Sequence, residues 1–305
     1  MLLVAGMAWA AVAADDRSTV AQRVIAITRD SKWTPVATIP IGFRTFHPQG
    51  MVKIGDTFFV SSVEVTTPTR RFAEPTGGYD RDPGKGVGHL FQIDSKGGLV
   101  SDLTLVARDA YHPGGIDYDG RHIWISLAEY RPNSHSVIYK VDPATMTATE
   151  VLQVGDHIGG IVRNTDDNTL HGLNWGSRRF YRWTLDKAGR ATNANRPLEA
   201  LSTLNTSHYV DYQDCKYLGG RAMLCSGLAA IGQAPSPGFR LGGLDLVSLA
   251  DGRPLHQTPV PLWTPGGTVM TQNPFWIEPS AAGLRVYFMP EDDRSTIYVY
   301  DVNTK

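Results

Sequence analysis

From Trp33 onward, apolar and polar residues alternate in short runs that are interrupted by glycine, proline and aspartate turns. Alternation with a period of two is typical of half-buried β-strands, and many short strands indicate a sandwich, a barrel or a propeller. Residues 16–31 differ, because Val20, Val24 and Ile27 recur at roughly helical spacing. The pattern therefore predicts a short N-terminal helix followed by an all-β domain.

A repeat starts several of the predicted strands. The segments HPQGMVKIGDTFFVSSVEV, from His47, and HPGGIDYDGRHIWISLAEY, from His112, align as His-Pro-x-Gly-apolar, a turn, an apolar strand and a glutamate seventeen residues after the histidine. Two more strand-like runs follow each segment, and further units open at His157, at His208 and near Asn273. Four antiparallel strands per unit make a propeller blade, so the repeat favours a propeller.

The last unit is one strand short when the chain reaches Lys305. The run TPVATIPIG, residues 34–42, precedes the first unit and can supply the missing strand, which would join the two ends and remove open sheet edges. We predict a five-bladed β-propeller as one domain over residues 33–305, with a six-bladed ring as the alternative. Residues 66–87 and 229–241 are insertions between second and third strands, and loops of this length in a compact domain are usually functional or disordered.

Composition and the N-terminus narrow the classes of partner. The chain has 29 Lys and Arg against 30 Asp and Glu and no basic run, so nucleic acid is not an expected partner. Residues 1–14, MLLVAGMAWAAVAA, are apolar and too short to span a bilayer, which predicts a signal peptide and a periplasmic or secreted protein. The alternative is an apolar segment that packs on the domain. Residues 15–32 then form the N-terminal helical segment, and we expect a monomer without a stable membrane span.

The two cysteines, Cys215 and Cys225, flank the turn YLGGRA. If the flanking runs pair as a hairpin, the cysteines face each other, and an exported protein can bridge them. Buried free thiols are the alternative, and an isolated pair at this spacing does not match a metal site.

The first strand of each propeller blade lines the central channel, so the repeat predicts a ring of side chains around one channel mouth. The residues at the starts of first strands are His47, His112, His157, His208 and Asn273. Residues that end the second strands would surround them, namely Glu64, Glu129, Asn174, Trp175 and Glu291.

Two segments at this mouth are rich in polar and aromatic side chains. They are AEYRPNSHS, residues 128–136, and NWGSRRFY, residues 174–181. Convergent polar and aromatic groups are what a small-molecule site requires. We therefore expect the following residues to bind a substrate: Gln49, Tyr130, Arg131, Asn174, Trp175, Arg178, Asn273 and Glu291.

Three interpretations of the four histidines remain open. They can converge on a divalent metal, Zn, Fe, Mn or Ca, with carboxylates orienting the rings or completing the shell. A histidine beside Glu64 or Glu129 can instead act as a general acid or base without a metal. Finally, each histidine can hydrogen-bond to backbone between blades and be architectural. Motifs for a nucleophilic serine elbow, a phosphate loop and a dinucleotide are absent from the sequence, so we expect no organic cofactor.

Two of these motifs resemble those of a known superfamily. HPQGM, residues 47–51, is similar to the Thr-Gln-Gly-Leu motif that opens a first-blade strand in five-bladed plant-type glutaminyl cyclases, and SSVE, residues 61–64, ends the next strand where the cyclases also carry a glutamate. Lactonases and calcium-dependent phosphotriesterases belong to the same superfamily of secreted propellers. The later Asn-Glu-Leu-Glu motif of the cyclases is absent here. The whole pattern, with YHPGGIDYDG, DHIGG and NWGSR, more closely resembles an uncharacterised family of bacterial and fungal propeller-like proteins, which implies a fold but no activity.

These observations predict an exported propeller with a polar pocket at the channel mouth. We expect a small-molecule hydrolase or lyase that uses the four histidines as metal ligands or acid/base groups, supported by Glu64 and Glu129. The alternative is a non-catalytic ligand-binding or protein-interaction propeller with structural histidines. The two hypotheses differ in whether the histidine side chains meet around an open channel.

Overall fold

The computed structural model describes residues 14–232 and 238–304, so the predicted signal peptide lies outside the described residues except for its last position. The N-terminal helix predicted from the spacing is present as α1 (Ala14–Ile25). Its residues Val20 and Val24 are buried in an apolar cluster with strands from the C-terminal half of the chain. None of the helices within the described residues is long and apolar enough to cross a bilayer.

The regular structure of the rest of the described chain is β-strand, as the alternation predicted, apart from a single turn of helix, α2 (Leu198–Leu201), and two short 3₁₀ turns. In chain order the strands are β1 (Trp33–Pro40), β2 (His47–Ile54), β3 (Thr57–Thr67), β4 (Arg71–Thr76), β5 (Tyr79–Arg81), β6 (Lys85–Ile93), β7 (Leu99–Leu105), β8 (His112–Tyr118), β9 (Ile123–Ala128), β10 (Ser136–Asp142), β11 (Thr147–Val154), β12 (Ile158–Asn164), β13 (Thr169–Asn174), β14 (Arg179–Thr184), β15 (Ser202–Leu204), β16 (Asp211–Tyr217), β17 (Ala222–Ile231), β18 (Phe239–Ser248), β19 (Pro254–Pro259), β20 (Phe275–Ser280), β21 (Gly283–Phe288) and β22 (Thr296–Asn303).

The strands form antiparallel groups of four, and each group is named by its inner strand, the first strand of the predicted unit. The β2 group has the order β2-β3-β6-β7, and the β16 group has the order β16-β17-β18-β19. The β8 and β12 groups form one eight-stranded sheet, because β8 and β12 lie side by side in parallel where Gly115 pairs with Gly160. In the first insertion, β4 and β5 form a separate hairpin. The fold is therefore all-β and propeller-like.

The strand before the first unit completes the last group. β1 pairs antiparallel with β22, from Trp33 opposite Val302 to Pro40 opposite Thr296, and the β20 group has the order β1-β22-β21-β20. The prediction that residues 34–42 supply the missing strand is confirmed. The first and last strands of the described chain thus lie in one sheet.

The first strands of the groups surround a common centre. Contacts join β2 to β8, β8 to β12, β12 to β16 and β20 to β2. Glycine is required where these strands approach: a Cβ at Gly50 would lie 2.4 Å from the backbone nitrogen of Ile116, and a Cβ at Gly114 would lie 2.3 Å from the carbonyl oxygen of Gly159. The glycines of the repeat therefore allow close packing of neighbouring inner strands.

A buried ion pair occupies the centre. Asp214 on β16 accepts the backbone N–H of Met51 at 3.0 Å and of Phe275 at 3.3 Å through Oδ2, and that of Ile116 at 3.2 Å through Oδ1. The Lys216 ammonium donates to Asp214 Oδ1 at 2.6 Å and to the Ile116 carbonyl at 2.5 Å. Because the three amides belong to the β2, β20 and β8 groups, one carboxylate links four groups.

The two cysteines occupy directly opposite positions on neighbouring strands. Cys215 on β16 pairs with Cys225 on β17, and their side chains form a disulfide with the Cα atoms 4.1 Å apart. Gly219 and Gly220 have φ values of 76° and 55° in the connecting turn, a conformation that glycine adopts without steric cost. The predicted disulfide is confirmed.

Candidate functional site

A cavity of about 230 Å³ lies where the inner strands begin. Bulges occur near the starts of β2, β12 and β16, and Gln49, Gly159 and Gln213, which the bulges leave out of the strand pairing, all line this cavity. A β-bulge bends a strand and redirects its side chains. The cavity brings together seven of the predicted site residues: His47, Gln49, His112, Tyr130, His157, Asn174 and Trp175.

His157 is fixed by the backbone of the neighbouring group. Its Nδ1 lies 2.7 Å from the carbonyl oxygen of Glu129. Because a carbonyl can only accept, Nδ1 carries the proton and Nε2 holds the lone pair. That Nε2 lies next to Gly159 on the cavity wall, 3.5 Å from where a Cβ of this glycine would be. Burial lowers the pKa of His157 to about 4, so the ring is neutral at neutral pH.

His112 lies on the same wall, with its ring stacked on Tyr130 at a centroid distance of 4.2 Å and 5.8 Å from the ring of His157. Its Nδ1 is buried and has no hydrogen-bond partner within the described part of the chain. Burial, and after it the neighbouring His157 and His47, hold the pKa of His112 well below the ordinary value. This imidazole is therefore also neutral at neutral pH.

His47 forms a dyad with Asp292 at the mouth of the cavity. Its Nδ1 lies 2.8 Å from Asp292 Oδ1, which also accepts an amide N–H of Asn273 at 2.9 Å. Burial raises the pKa of Asp292, but the hydrogen bonds from His47 and Asn273 outweigh it, so the pKa stays below its ordinary value. An ionised carboxylate can only accept a hydrogen bond, so Nδ1 of His47 is the donor, and in the neutral ring Nε2 holds the lone pair.

Two aromatic rings, those of Tyr130 and Trp175, form part of the cavity wall. Trp175 meets the ring of His157 edge-on at 4.8 Å, and Tyr130 lies 5.8 Å from Trp175. The guanidinium of Arg81 lies 5.0 Å from the centroid of the Trp175 ring, and Asp80 holds this guanidinium with two hydrogen bonds of 2.8 and 2.9 Å. Arg81 was not among the predicted residues, although the length of its insertion marked that segment as functional.

Glu129 and Arg131 do not line the cavity; they support it. Glu129 is buried and accepts a hydrogen bond from Arg131 Nε at 2.5 Å, and its Oε1 lies 2.6 Å from His135 Nδ1. Arg131 in turn lies 3.5 Å from the centroid of the Tyr79 ring, on the β4–β5 hairpin. These two residues therefore attach the hairpin beside the cavity, and the Glu129 carbonyl orients His157.

The placement of His208 at the start of a first strand is corrected by the structure. His208 is exposed, its Nδ1 accepts a hydrogen bond from Arg178 at 2.8 Å, and β16 begins three residues later, at Asp211. Asp211 lines the cavity and pairs with Arg178 at 2.9 Å, so Arg178 is behind the wall. Asp211 precedes the buried Cys215 by four residues, as His47 precedes Met51, so aligning on the histidine shifted the unit by three positions.

Three further predicted residues are not brought to the cavity. Glu64 Oε2 lies 3.9 Å from Nε2 of His89, in a separate cluster. Glu291 accepts the hydroxyl of Tyr298 at 2.6 Å. Asn273 is buried and reaches the cavity only through Asp292. Each lies two or three residues from the predicted strand end, since β3 continues to Thr67, β21 ends at Phe288 and β20 begins at Phe275, and each side chain forms contacts within its own group or behind the wall.

The cavity histidines are not arranged as a metal-binding site in the described structure. Within residues 14–232 and 238–304, no group of three or more His, Cys, Asp or Glu side chains could hold a metal ion. His47, His112 and His157 share one cavity, and imidazole is the right chemical type of ligand for Zn, Fe or Mn. The metal stays a prediction.

The fold resembles solved structures at low sequence identity. A hypothetical protein from Leishmania major has a TM-score of 0.53 and 9% identity, and the match covers 88% of this chain and 90% of that one. A mannose phosphorylase from Leishmania mexicana, in complex with a phosphate ion, has a TM-score of 0.52 and 9% identity over 87% of this chain and 88% of that one. A luciferin-regenerating enzyme has a TM-score of 0.48 and 13% identity over 90% and 95%. For the two structures from Leishmania, whose TM-scores exceed 0.5, the similarity at this identity shows a shared fold alone.

No curated protein matches the sequence. A family model does match, over residues 8–305, and its description is a family of unknown function, DUF6454. This agrees with the resemblance to an uncharacterised family, whereas the more distant resemblance to glutaminyl cyclases stays a prediction. Since the match covers nearly the whole sequence, the chain belongs to the DUF6454 family.

Proposed function

We propose that the histidine cavity is the active site of a small-molecule hydrolase or lyase in which a neutral imidazole acts as general base. The observation that carries this proposal is that two imidazoles are fixed through Nδ1, His157 by the Glu129 carbonyl and His47 by Asp292, so that each keeps a lone pair on Nε2. A histidine in this state can accept a proton directly.

His47 is the better base of the two. Its side chain is 34% exposed at the mouth, and the Asp292 carboxylate stabilises the imidazolium that forms when Nε2 takes a proton. That proton comes from water in a hydrolysis, or from a carbon next to a carbonyl in an elimination. His157 is buried and has a pKa of about 4, so it is a weaker base and better suited to accept a hydrogen bond from a substrate hydroxyl or a water molecule.

Tyr130 can donate a hydrogen bond to an oxygen that gains negative charge during the reaction. Burial raises the pKa of Tyr130, so the phenol stays protonated at neutral pH. Donors aimed at developing charge are a common source of transition-state stabilisation. The volume of about 230 Å³ is below the ~300–1,000 Å³ of most ligand pockets. The substrate, or the part of it that reacts, is therefore small.

The arrangement of the chain supports two further parts of the proposal. We take the four-stranded groups as the blades of a five-bladed propeller that β1 closes. The disulfide supports export, because such bonds persist in oxidising compartments. A resident divalent metal held by the cavity histidines remains part of the hypothesis, but no step is assigned to it.

A non-catalytic binding propeller is the second candidate. The observation that favours it is the bond from His157 to the Glu129 carbonyl, because this bond joins two neighbouring groups as an architectural histidine would. Only one nitrogen of that ring is bonded to backbone in the described structure, however, and His47 is bonded to a carboxylate.

The test compares His47→Gln and Asp292→Asn with wild type on a panel of small esters, lactones and β-hydroxy acids, followed by proton release or ultraviolet absorbance. Loss of a general base lowers kcat by about 10²–10⁴-fold, and we expect this for His47→Gln, with a smaller loss for Asp292→Asn. His122→Gln is the matched control, because His122 is a half-buried histidine outside the cavity.

Unchanged melting temperatures must accompany the losses. A folded His47→Gln protein whose kcat stays within about threefold of wild type rules out the assigned base. Ligand binding by wild type without turnover on any member of the panel favours the non-catalytic candidate. Elemental analysis of the same preparations tests the metal.

A further inference from the structure

A second cavity, of about 410 Å³, lies at the other end of the inner strands. The histidine cavity is lined by the first residues of these strands, such as His47 on β2 and His112 on β8. The second cavity is lined by later residues of the same strands, such as Lys53 on β2 and Tyr118 on β8. The two cavities therefore occupy opposite ends of one central channel.

The central ion pair separates them. Asp214 lines the histidine cavity, and Lys216, two residues further along β16, lines the second cavity. Their side chains are 0% and 2% exposed, so the channel is closed between the two ends. A compound in one cavity does not contact a compound in the other.

The second cavity has the size and the walls of a small-molecule site. Its volume falls within the ~300–1,000 Å³ of typical ligand pockets. Trp276, Tyr118 and Ile277 supply apolar and aromatic surface, and Val20 of α1 contributes from the N-terminal helix. A flat apolar compound can therefore be buried against these side chains.

The ammonium group of Lys216 indicates which chemical group a ligand would present. An ammonium group has three donors, and Lys216 uses two of them on Asp214 and on the Ile116 carbonyl. The third is available to an acceptor oxygen from a compound in the cavity. A buried donor that gains an acceptor recovers the hydrogen bond it lost on leaving water.

The surrounding charges decide between an anionic and a neutral acceptor. Lys53 is already paired with Glu278 at 3.1 Å, and Glu278 also accepts the hydroxyl of Tyr287 at 2.6 Å. Asp117 lines the cavity as well, and Asp214 lies directly behind Lys216. Both ammonium groups therefore already have a carboxylate partner. A ligand carboxylate would find no uncompensated positive charge in this cavity, whereas an uncharged carbonyl requires none.

We propose that this second cavity binds an uncharged compound with a flat aromatic body and one carbonyl oxygen, the oxygen accepting the third N–H of Lys216 and the body packing on Trp276 and Tyr118. The proposal is independent of any activity in the histidine cavity.

Isothermal titration with acetophenone tests it, with benzoate as the charged analogue and ethylbenzene as the analogue without oxygen. We expect saturable binding of acetophenone, and binding of both analogues at least about tenfold weaker, which corresponds to ~1.4 kcal/mol. Trp276→Leu should weaken acetophenone binding by a similar factor. Trp175→Leu, which changes the wall of the histidine cavity, is the matched control and should leave the affinity unchanged.

Three outcomes overturn the proposal. The first is no saturable binding of acetophenone up to its solubility. The second is equal affinity for ethylbenzene, which would remove the role of Lys216. The third is a loss of binding in Trp175→Leu and not in Trp276→Leu, which would move the ligand to the other cavity.

Discussion

Replacing Asp214 with asparagine tests whether the buried ion pair organises the centre of the fold. Asparagine keeps the shape of the side chain and one acceptor oxygen, but its NH₂ group cannot accept the amide N–H bonds that Asp214 now receives. The change also leaves the ammonium of Lys216 buried without its counter-ion at 2.6 Å. Removing one partner of a buried pair costs about 3–5 kcal/mol.

We therefore expect Asp214→Asn to lower the free energy of unfolding by about 3–5 kcal/mol, a large part of the ~5–15 kcal/mol that stabilises a typical domain. Urea unfolding followed by tryptophan fluorescence, without reductant, measures it. Asp251→Asn is the matched control, because the Asp251 side chain is 55% exposed in a turn, and it should change stability by at most about 0.5 kcal/mol.

A double-mutant cycle sharpens the result. Lys216→Met alone leaves the carboxylate of Asp214 buried without its ammonium, so it should also be strongly destabilising. The double variant Asp214→Asn with Lys216→Met buries no charge and should be more stable than the sum of the single effects predicts, by at least about 1 kcal/mol. A loss below about 1 kcal/mol for Asp214→Asn, or strictly additive single effects, would refute the role given to the pair.

Three further predictions concern the cavity and its surroundings. His157 has a pKa of about 4 in the folded protein against ~6.5 in the unfolded chain, so the unfolded chain binds more protons between these pH values. The free energy of unfolding should therefore fall by about 2 kcal/mol from pH 7 to pH 5 because of this histidine, whose contribution is complete above pH 6.5. In His157→Gln, the free energy of unfolding measured with urea should depend less on pH over this range, and an unchanged pH dependence contradicts the assignment. Removing the Cys215–Cys225 disulfide, which spans ten residues, should lower the free energy of unfolding by about 2.7 kcal/mol in the chain-entropy model. The double alanine variant measures this against wild type, and equal unfolding midpoints would contradict the prediction. The Arg81 side chain is 15% exposed, so Arg81→Gln removes a cation–π contact worth about 0.5–2 kcal/mol. Hydrogen exchange of residues 71–81 should become faster, and unchanged protection means that Trp175 does not hold the hairpin.

Local pattern was sufficient for much of the architecture. Alternation identifies strands, and glycine and aspartate turns separate them, so the all-β class, the short helix and the pairing of residues 34–42 with the last strand were predictable. The disulfide was predictable for the same reason, because hairpin register depends on the turn between Cys215 and Cys225. The strands, the helix and the disulfide are features that a few neighbouring residues determine, whereas the pairing of residues 34–42 followed from the strand that the last unit lacks.

The remainder of the site depends on contacts between distant segments. His208 was misplaced because the repeat replaces histidine with Asp211, and only the distance to the buried Cys215 reveals the true register. Asp292 becomes a partner of His47 across a sequence separation of 245 residues, which no local pattern can indicate. Arg81 reaches Trp175 because the insertion folds across to another group. Sequence spacing predicted which strand ends meet, but not where each side chain points.

One feature of strand geometry connects the two cavities. Asp214 and Lys216 are two residues apart on β16, so their side chains leave the same face of the strand about 6.6 Å apart. Because of that spacing, the carboxylate of Asp214 borders the histidine cavity and the ammonium of Lys216 borders the second cavity, while the two groups still form an ion pair. Either charge alone would be costly to bury, and each is neutralised by the other because the two groups are paired. The alternation of side chains along β16 thus closes the channel with one ion pair. Its carboxylate links four groups and borders the histidine cavity, and its ammonium borders the second cavity.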